Sequence, residues 1–195
     1  MFALLSNNTM NTQNQWKEKW ANQPMLMLTT VVIWSVFIGL CIKAGALTFV
    51  AILSFFNAPV AQDLYEGLNL YSLMQENLWY YVGLLSLIIG IAVSKAYLFY
   101  LMIRIFMSID LQHPFNSKVG NYLSQMGSTA LQIGFLIIIT SSSIKWLIKR
   151  GFEIPSMAGF IGGAMEFIFM GILIFAIAQV FKRGIEIQSE NELTV

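Results

Sequence analysis

Four long, continuously apolar stretches dominate this sequence and constrain its fold more than any other feature. They lie at about residues 25–48, 78–101, 128–147 and 159–181, and each has the roughly 20 residues that a helix needs to cross a bilayer. Strands of a membrane barrel would instead alternate apolar and polar residues in segments of about 10. A helix also satisfies its backbone hydrogen bonds within one segment, as the lipid interior requires. The pattern predicts an all-α, polytopic membrane protein built as a four-transmembrane-helix bundle.

The composition agrees with a membrane protein and excludes most soluble classes. Of the 195 residues, 57% are hydrophobic and 11% are charged, whereas a soluble domain carries about 25% charged residues. The formal net charge is +1, so the sequence gives no electrostatic case for direct nucleic-acid binding, which needs clustered basic residues. The lipid bilayer is therefore the first predicted partner.

Polar segments flank the four predicted spans. Residues 1–24, which are rich in Asn and Gln, predict a cytoplasmic or interfacial segment, and residues 182–195 predict a cytoplasmic tail. The first apolar stretch continues to Phe56, so Met25–Phe56 is interpreted either as one long tilted helix or as a span followed by an outer-surface segment.

The distribution of basic residues predicts the orientation. With both termini inside, six basic residues are cytoplasmic and four are external or at the outer edge, which agrees with the positive-inside rule. The six are Lys17, Lys19, Arg104, Lys118, Lys182 and Arg183, and the four are Lys43, Lys145, Lys149 and Arg150. In the predicted external loop Asn57–Asn77, Leu64, Leu68 and Tyr71 recur at helical spacing and predict a short amphipathic helix on the outer surface. The expected location is a membrane, with both termini on its cytoplasmic side.

Glu166 is the most informative single residue, because it lies inside the fourth apolar stretch. A charge at such a position costs on the order of 3 kcal/mol. Gly159, Gly162 and Gly163 are seven, four and three residues before Glu166 and so are expected on its helix face, which predicts close packing against another helix. Glu166 is thus expected to be buried between helices, close to Lys43 or Lys145. An intramembrane ion pair and a ligand or proton site are both compatible with this arrangement. The remaining alternatives are that Glu166 faces water or is protonated.

The sequence lacks the motifs of an enzyme. It has one cysteine, Cys41, and one histidine, His113, so it offers neither a disulfide nor a cluster suited to zinc or haem. Phosphate loops and nucleophile elbows are also absent. We predict no enzymatic activity, catalytic residue, metal or cofactor. The hydroxyls of Thr140–Ser143 are interpreted as bonded to the helix backbone or a neighbouring helix, or as lining a polar cavity.

Two segments that are predicted to be cytoplasmic have sequence features suited to binding a partner. In the first, the elbow between the second and third helices, Pro114 ends helical geometry and Asn116 or Ser117 can cap a new helix. In the second, Gly184 is expected to end the last helix, leaving a short acidic tail of the kind that partners bind. The predicted partner-binding residues are Pro114, Phe115 and Asn116 in the elbow, and Glu190, Asn191, Glu192, Leu193, Thr194 and Val195 in the tail.

At these two segments the chain resembles the bacterial four-helix membrane proteins of domain-of-unknown-function family 2975. The first shared motif is the turn Pro114-Phe115-Asn116, a Pro-Phe pair followed by a polar capping residue. The second is the carboxy-terminal sequence, in which Phe181, Arg183 and Gly184 are followed by Glu190-Asn191-Glu192-Leu193-Thr194-Val195. His113 stands where the family often has Gly, and Glu192 stands where Asp is usual. Such proteins are often encoded beside a small helix-turn-helix regulator. The resemblance therefore implies a membrane protein paired with a DNA-binding partner.

Two functional hypotheses follow. In the first, the chain is a non-enzymatic membrane regulator that binds a small cytoplasmic helix-turn-helix transcription factor through the elbow and the tail. In the second, it is a small transporter or membrane ligand-binding subunit centred on Glu166. Self-association as a homo-oligomer stays open in both.

Overall fold

The computed structural model describes residues 24–109, 116–155 and 157–192. Their regular elements are all helical. Four helices are long: α1 (Pro24–Phe56), α3 (Leu78–Ser108), α4 (Ser117–Lys149) and α6 (Ala164–Glu192), while α2 (Tyr71–Glu76) and α5 (Ala158–Ile161) are short. The interfacial segment predicted over residues 1–24 lies almost entirely outside the described residues.

The four long helices confirm the predicted all-α, four-span fold. Each belongs to a segment long and apolar enough to cross a membrane, the last segment including α5. At 1.5 Å per residue, the 33 residues of α1 extend about 50 Å, and the hydrocarbon core of a bilayer is about 30 Å thick. Met25–Phe56 therefore lies within a single long helix. The helices exceed the predicted spans because they continue beyond their apolar stretches.

The described long helices pack in chain order: α1 against α3, α3 against α4, and α4 against α6. Within this part of the chain, α1 and α6 do not pack along each other. We call the end of the bundle that carries residues 57–77 the loop end, and the opposite end, where Ser108 and Ser117 lie, the tail end.

At the loop end, residues 57–77 pack on the helices as a folded cap. A 3₁₀ helix (Ala58–Gln62) leads into a turn, and the Leu64 amide donates to the Leu68 carbonyl at 2.9 Å. Leu64, Leu68 and Leu73 are each at most 2% exposed and pack against the outer turns of α1 and α3. The predicted amphipathic surface helix is thus wrong over 64–70. The α-helix begins only at Tyr71 and ends at Glu76, and the leucines before it are buried in protein rather than placed on the membrane surface.

A buried hydrogen bond joins α1 to α3 beneath this cap. The hydroxyls of Ser54 and Tyr81 lie 2.6 Å apart, and both residues are fully buried. The Ser54 hydroxyl is also 2.6 Å from the Ala51 carbonyl. Asn77 caps the start of α3, where its side-chain oxygen accepts from the amides of Trp79 and Tyr80. These polar contacts fix the loop end of the α1–α3 pair.

Glycines bring α4 and α6 into close contact. A Cβ atom on Gly171 would lie 2.7 Å from Leu131 Cγ and 2.9 Å from the Leu131 backbone nitrogen. On the facing helix, a Cβ on Gly134 would lie 3.0 Å from the Ala164 carbonyl oxygen, and one on Gly127 would lie 3.3 Å from that of Gly171. Small residues permit this approach in the absence of a hydrophobic driving force between helices in lipid.

The fourth predicted span is a broken helix. Gly162 and Gly163 separate α5 from α6, and Gly163 has a φ of +87°, a conformation that favours glycine. The prediction that Gly159, Gly162 and Gly163 share a continuous helix face with Glu166 is therefore wrong. The two consecutive glycines interrupt the helix just before the glutamate.

Candidate functional site

Glu166 lies in the first turn of α6, directly after the glycine break, and its side chain is exposed. The predicted burial between helices is wrong, because the chain reorients at Gly162 and Gly163. A carboxylate in the first turn of a helix is favoured by the partial positive charge of the unpaired amides there. Its position in the first turn is therefore favourable for the charge, and no lysine among the described residues forms an ion pair with it.

Lys43 pairs with Glu66 instead of Glu166. The Lys43 ammonium nitrogen lies 3.0 Å from the Glu66 carboxylate, with the two side chains 28% and 59% exposed. Glu66 has a φ of +47°, uncommon for a residue with a side chain, and the following Gly67 amide donates to Asp63 at 3.0 Å. This turn of the cap places the Glu66 carboxylate beside Lys43 of α1.

Lys95 is the intramembrane charge that sequence reasoning did not assign to a site. It lies 13 residues before the end of α3 and 17 after its start, hence about 20 Å or more from either end. Within the described residues, no carboxylate pairs with it, and its ammonium nitrogen lies 5.4 Å from the centre of the Phe167 ring. The sequence already shows Lys95 as a single basic residue inside a long apolar stretch. An ionisable residue in such a position is a candidate functional residue, because burying its charge in the membrane is costly.

Lys43 and Lys95 line one cavity of about 150 Å³ between α1, α3 and α5. Its remaining walls are apolar or glycine: Leu40, Ile88, Ile91, Ala92, Gly159 and Phe160. The Lys43 ammonium nitrogen also lies 4.6 Å from the centre of the Phe160 ring, within cation–π range. The cavity thus combines two cations with an apolar interior.

Lys145, the other predicted partner of Glu166, is exposed on α4. The hydroxyls near it behave as structural groups. Thr140 donates to the Leu136 carbonyl at 2.7 Å, and Ser143 donates to the Ile139 carbonyl at 2.9 Å. These two bonds agree with the interpretation that the hydroxyls are bonded to their own helix.

At the tail end, α6 continues as a helix through Gly184 to Glu192, so the predicted helix stop at Gly184 is wrong. Ile185 accounts for the continuation, because it packs on α4: a Cβ on Gly120 would lie 3.5 Å from its Cδ1 atom. Phe181 and Ile185, one helical turn apart, are both partly buried. The opposite face is exposed and carries Ile187 and Glu190. We call the first turns of α4 and residues 182–192 of α6 the tail-end stub.

The elbow is described only from Asn116 onward. Asn116 caps α4, as predicted, by accepting a hydrogen bond from the Lys118 amide at 2.9 Å. Pro114 and Phe115 lie outside the described residues, as do Leu193–Val195. Of the other predicted tail residues, Glu190 is an exposed helical residue, and the backbones of 191 and 192 complete α6.

In the described parts of the chain, no three His, Cys, Asp or Glu side chains come together as a metal-binding group. The charged side chains of these parts instead make ion pairs, cation–π contacts and hydrogen bonds. At the tail end, for example, the Arg104 guanidinium donates to the Tyr122 hydroxyl at 2.8 Å and joins α3 to α4.

Comparisons with known proteins give a family. Neither the curated proteins nor the solved structures contain a match to this chain. The family described as protein of unknown function (DUF2975) matches residues 9–195, which include all four long helices, the elbow and the tail. By this match over nearly its whole length, the chain belongs to the DUF2975 family.

Proposed function

We propose that the protein is a non-enzymatic regulator in the bacterial inner membrane, with both termini in the cytoplasm. It binds a small helix-turn-helix transcription factor through the elbow, Pro114–Asn116, and the tail, Glu190–Val195. The observation that carries the proposal is the tail-end stub. It is an ordered helical surface that extends the bundle beyond its apolar stretches.

The stub is pre-ordered for binding. A flexible tail of six residues would lose about 1–2 kcal/mol of backbone entropy per residue on capture. Because α6 is helical up to Glu192, this cost is met on folding rather than on binding for residues 190–192, the first three of the six. The Asn116 cap likewise fixes the direction in which α4 leaves the elbow. Both features favour a partner that contacts the two helix ends together.

The last turns of α6 have an acidic surface that suits a DNA-binding partner. Residues 184–192 contain Glu186, Glu190 and Glu192 and no basic residue. Glu186 pairs with Arg183 at 2.7 Å, and Glu190 is exposed near the exposed Ile187. Proteins that bind DNA present basic surfaces, so an acidic helix end with an apolar side chain can contact such a surface. A regulator held in this way is withdrawn from DNA by mass action.

The orientation rests on the basic residues at each end. Arg104, Lys118, Lys182 and Arg183 lie at the tail end, and Lys17 and Lys19 of the N-terminal segment bring the basic residues on the proposed cytoplasmic side to six. The other side has four, Lys43, Lys145, Lys149 and Arg150, and its cap contains Asp63, Glu66 and Glu76 and no basic residue. The positive-inside rule then favours a cytoplasmic tail end.

Affinity capture of the full chain in mild detergent, followed by mass spectrometry, tests the proposal. We expect a stoichiometric small helix-turn-helix protein that is lost when Glu190–Val195 is deleted or when Glu186 and Glu190 are changed to Lys. Glu76→Lys, an exposed charge reversal at the loop end, is the matched control and should retain the partner. Full retention by the truncated chain would move the contact to the elbow, and the absence of any DNA-binding protein would contradict the proposal.

The rival hypothesis of a transporter or ligand-binding subunit centred on Glu166 stays a prediction, with less support than the regulator. Glu166 is exposed, and its first-turn position is favourable for its charge. We therefore do not adopt Glu166 as the centre of a ligand site.

A further inference from the structure

The cavity between Lys43 and Lys95 has no part in the capture of a cytoplasmic partner, yet it has the features of a binding site. We propose that it binds a small organic acid with a single carboxylate and an apolar body about the size of a benzene ring. The carboxylate pairs with the Lys95 ammonium group on the side of the cavity that Lys43 also lines, and the body lies against the leucine, isoleucine and phenylalanine walls.

The size of the cavity limits the ligand. Its volume is about 150 Å³, comparable to the engineered apolar cavity of about 150 Å³ that accommodates benzene. Pockets for drug-sized ligands measure roughly 300–1,000 Å³. A molecule with one ring or a short chain therefore fits.

The charges select an anion. Lys43 already contacts a carboxylate, that of Glu66 at 3.0 Å, so carboxylate chemistry suits this ammonium group. Lys95 has no carboxylate partner among the described residues, although an unpaired cation inside a membrane is costly. One ligand carboxylate would neutralise Lys95 and share Lys43 with Glu66, whose exposed side chain can release it.

The walls favour a carboxylate over a phosphate. Apart from the two lysines, the lining consists of Leu40, Ile88, Ile91, Ala92, Gly159 and Phe160, whose side chains have no hydrogen-bond donor. A phosphate has more oxygens to satisfy and is typically bound by several donors or by bidentate arginine. A monoanion with an apolar body matches both parts of the lining.

Binding of benzoate to the purified full chain in neutral phosphatidylcholine nanodiscs tests this inference. The thermal midpoint should rise with benzoate concentration and saturate, because a ligand that binds only the folded state stabilises it. Benzamide, which has nearly the same shape and no charge, should give no comparable rise, and neither should inorganic phosphate. Equal shifts with benzamide, or the same shift with phosphate alone, would overturn the assignment to an organic carboxylate.

Variants locate the effect. Lys95→Met should weaken the apparent benzoate affinity by about tenfold or more, as expected for loss of one charged hydrogen-bond partner. Lys95→Arg should retain binding, as should Lys149→Met, which removes an exposed lysine outside the cavity. Ala92→Leu keeps both lysines but fills the cavity, and it should also abolish the benzoate shift.

A purely structural role for Lys95 gives a different result. Without benzoate, Lys95→Met should melt at or above the wild-type midpoint, because it removes an unpaired intramembrane charge. If it melts lower and benzoate raises both proteins equally, Lys95 serves packing and the proposal fails. A full benzoate response in Ala92→Leu would likewise exclude the cavity as the site.

Discussion

The close contact of α4 with α6 makes Gly171→Ala a sensitive test of the packing. An added Cβ would lie 2.7 Å from Leu131 Cγ and 2.9 Å from the Leu131 backbone nitrogen. The side chain of Leu131 can rotate, but its backbone nitrogen can move away only if the two helices separate. The matched control is Gly90→Ala in α3, where an added Cβ meets no atom within 4 Å.

The expected difference follows from two opposing contributions. Replacing Gly by Ala inside a helix stabilises it by about 0.8–1.0 kcal/mol, and Gly90→Ala should show that gain. Gly171→Ala has the same intrinsic gain but incurs an overpacking cost of about 1–3 kcal/mol. The two variants should therefore differ by about 1–3 kcal/mol. For a chain of this length, this corresponds to about 2–12 °C in the thermal midpoint.

Thermal unfolding of both variants in the same detergent measures this difference. Gly90→Ala should melt at or above the wild-type midpoint, and Gly171→Ala should melt below Gly90→Ala. If Gly171→Ala were stabilised as much as Gly90→Ala, the helices would not approach as closely as described. Small residues would then not set the distance between α4 and α6.

Three further predictions concern local contacts. Asn116→Ala should lower the free energy of unfolding by about 1 kcal/mol through loss of the α4 cap, and Asn116→Ser should recover most of it in the same thermal assay. A double-mutant cycle of Tyr81→Phe and Ser54→Ala should give a coupling energy of about 0.6–2 kcal/mol, which is the range for hydrogen bonds between membrane helices. A coupling energy near zero would contradict the buried hydrogen bond. Gly163→Ala should destabilise the protein by about 1–3 kcal/mol because the φ of Gly163 is positive, whereas Gly162→Ala, at a φ of −80°, should be tolerated. Equal thermal midpoints for these two variants would argue against the break between α5 and α6.

The sequence predicted the helix count because the bilayer leaves few alternatives. An apolar stretch of 20 or more residues has to be helical in lipid, so the four spans followed directly. The Asn116 cap was also predictable, since capping depends on a few neighbouring residues. Both inferences use local information, and both agree with the structure.

The tertiary contacts could not be predicted in the same way. Gly184 and Gly163 are both glycines, yet only Gly163 interrupts a helix, because Ile185 packs on α4 and supports the helix beyond Gly184. The partner of Lys43 is Glu66, whose position depends on how the cap folds back onto α1. Neither outcome can be derived from spacing along the chain. By contrast, the position of Lys95 was visible in the sequence and only its significance was missed.

The location of the tail end tests the proposed function most directly. The native chain has a single cysteine, Cys41, so Cys41→Ser gives a background for Glu186→Cys at the tail end and Glu76→Cys in the cap. In intact bacterial cells, a membrane-impermeant maleimide should label Glu76→Cys at once and Glu186→Cys only after permeabilisation. Labelling of Glu186→Cys from outside, with Glu76→Cys protected, would contradict the account, because no cytoplasmic transcription factor could then reach the tail-end stub.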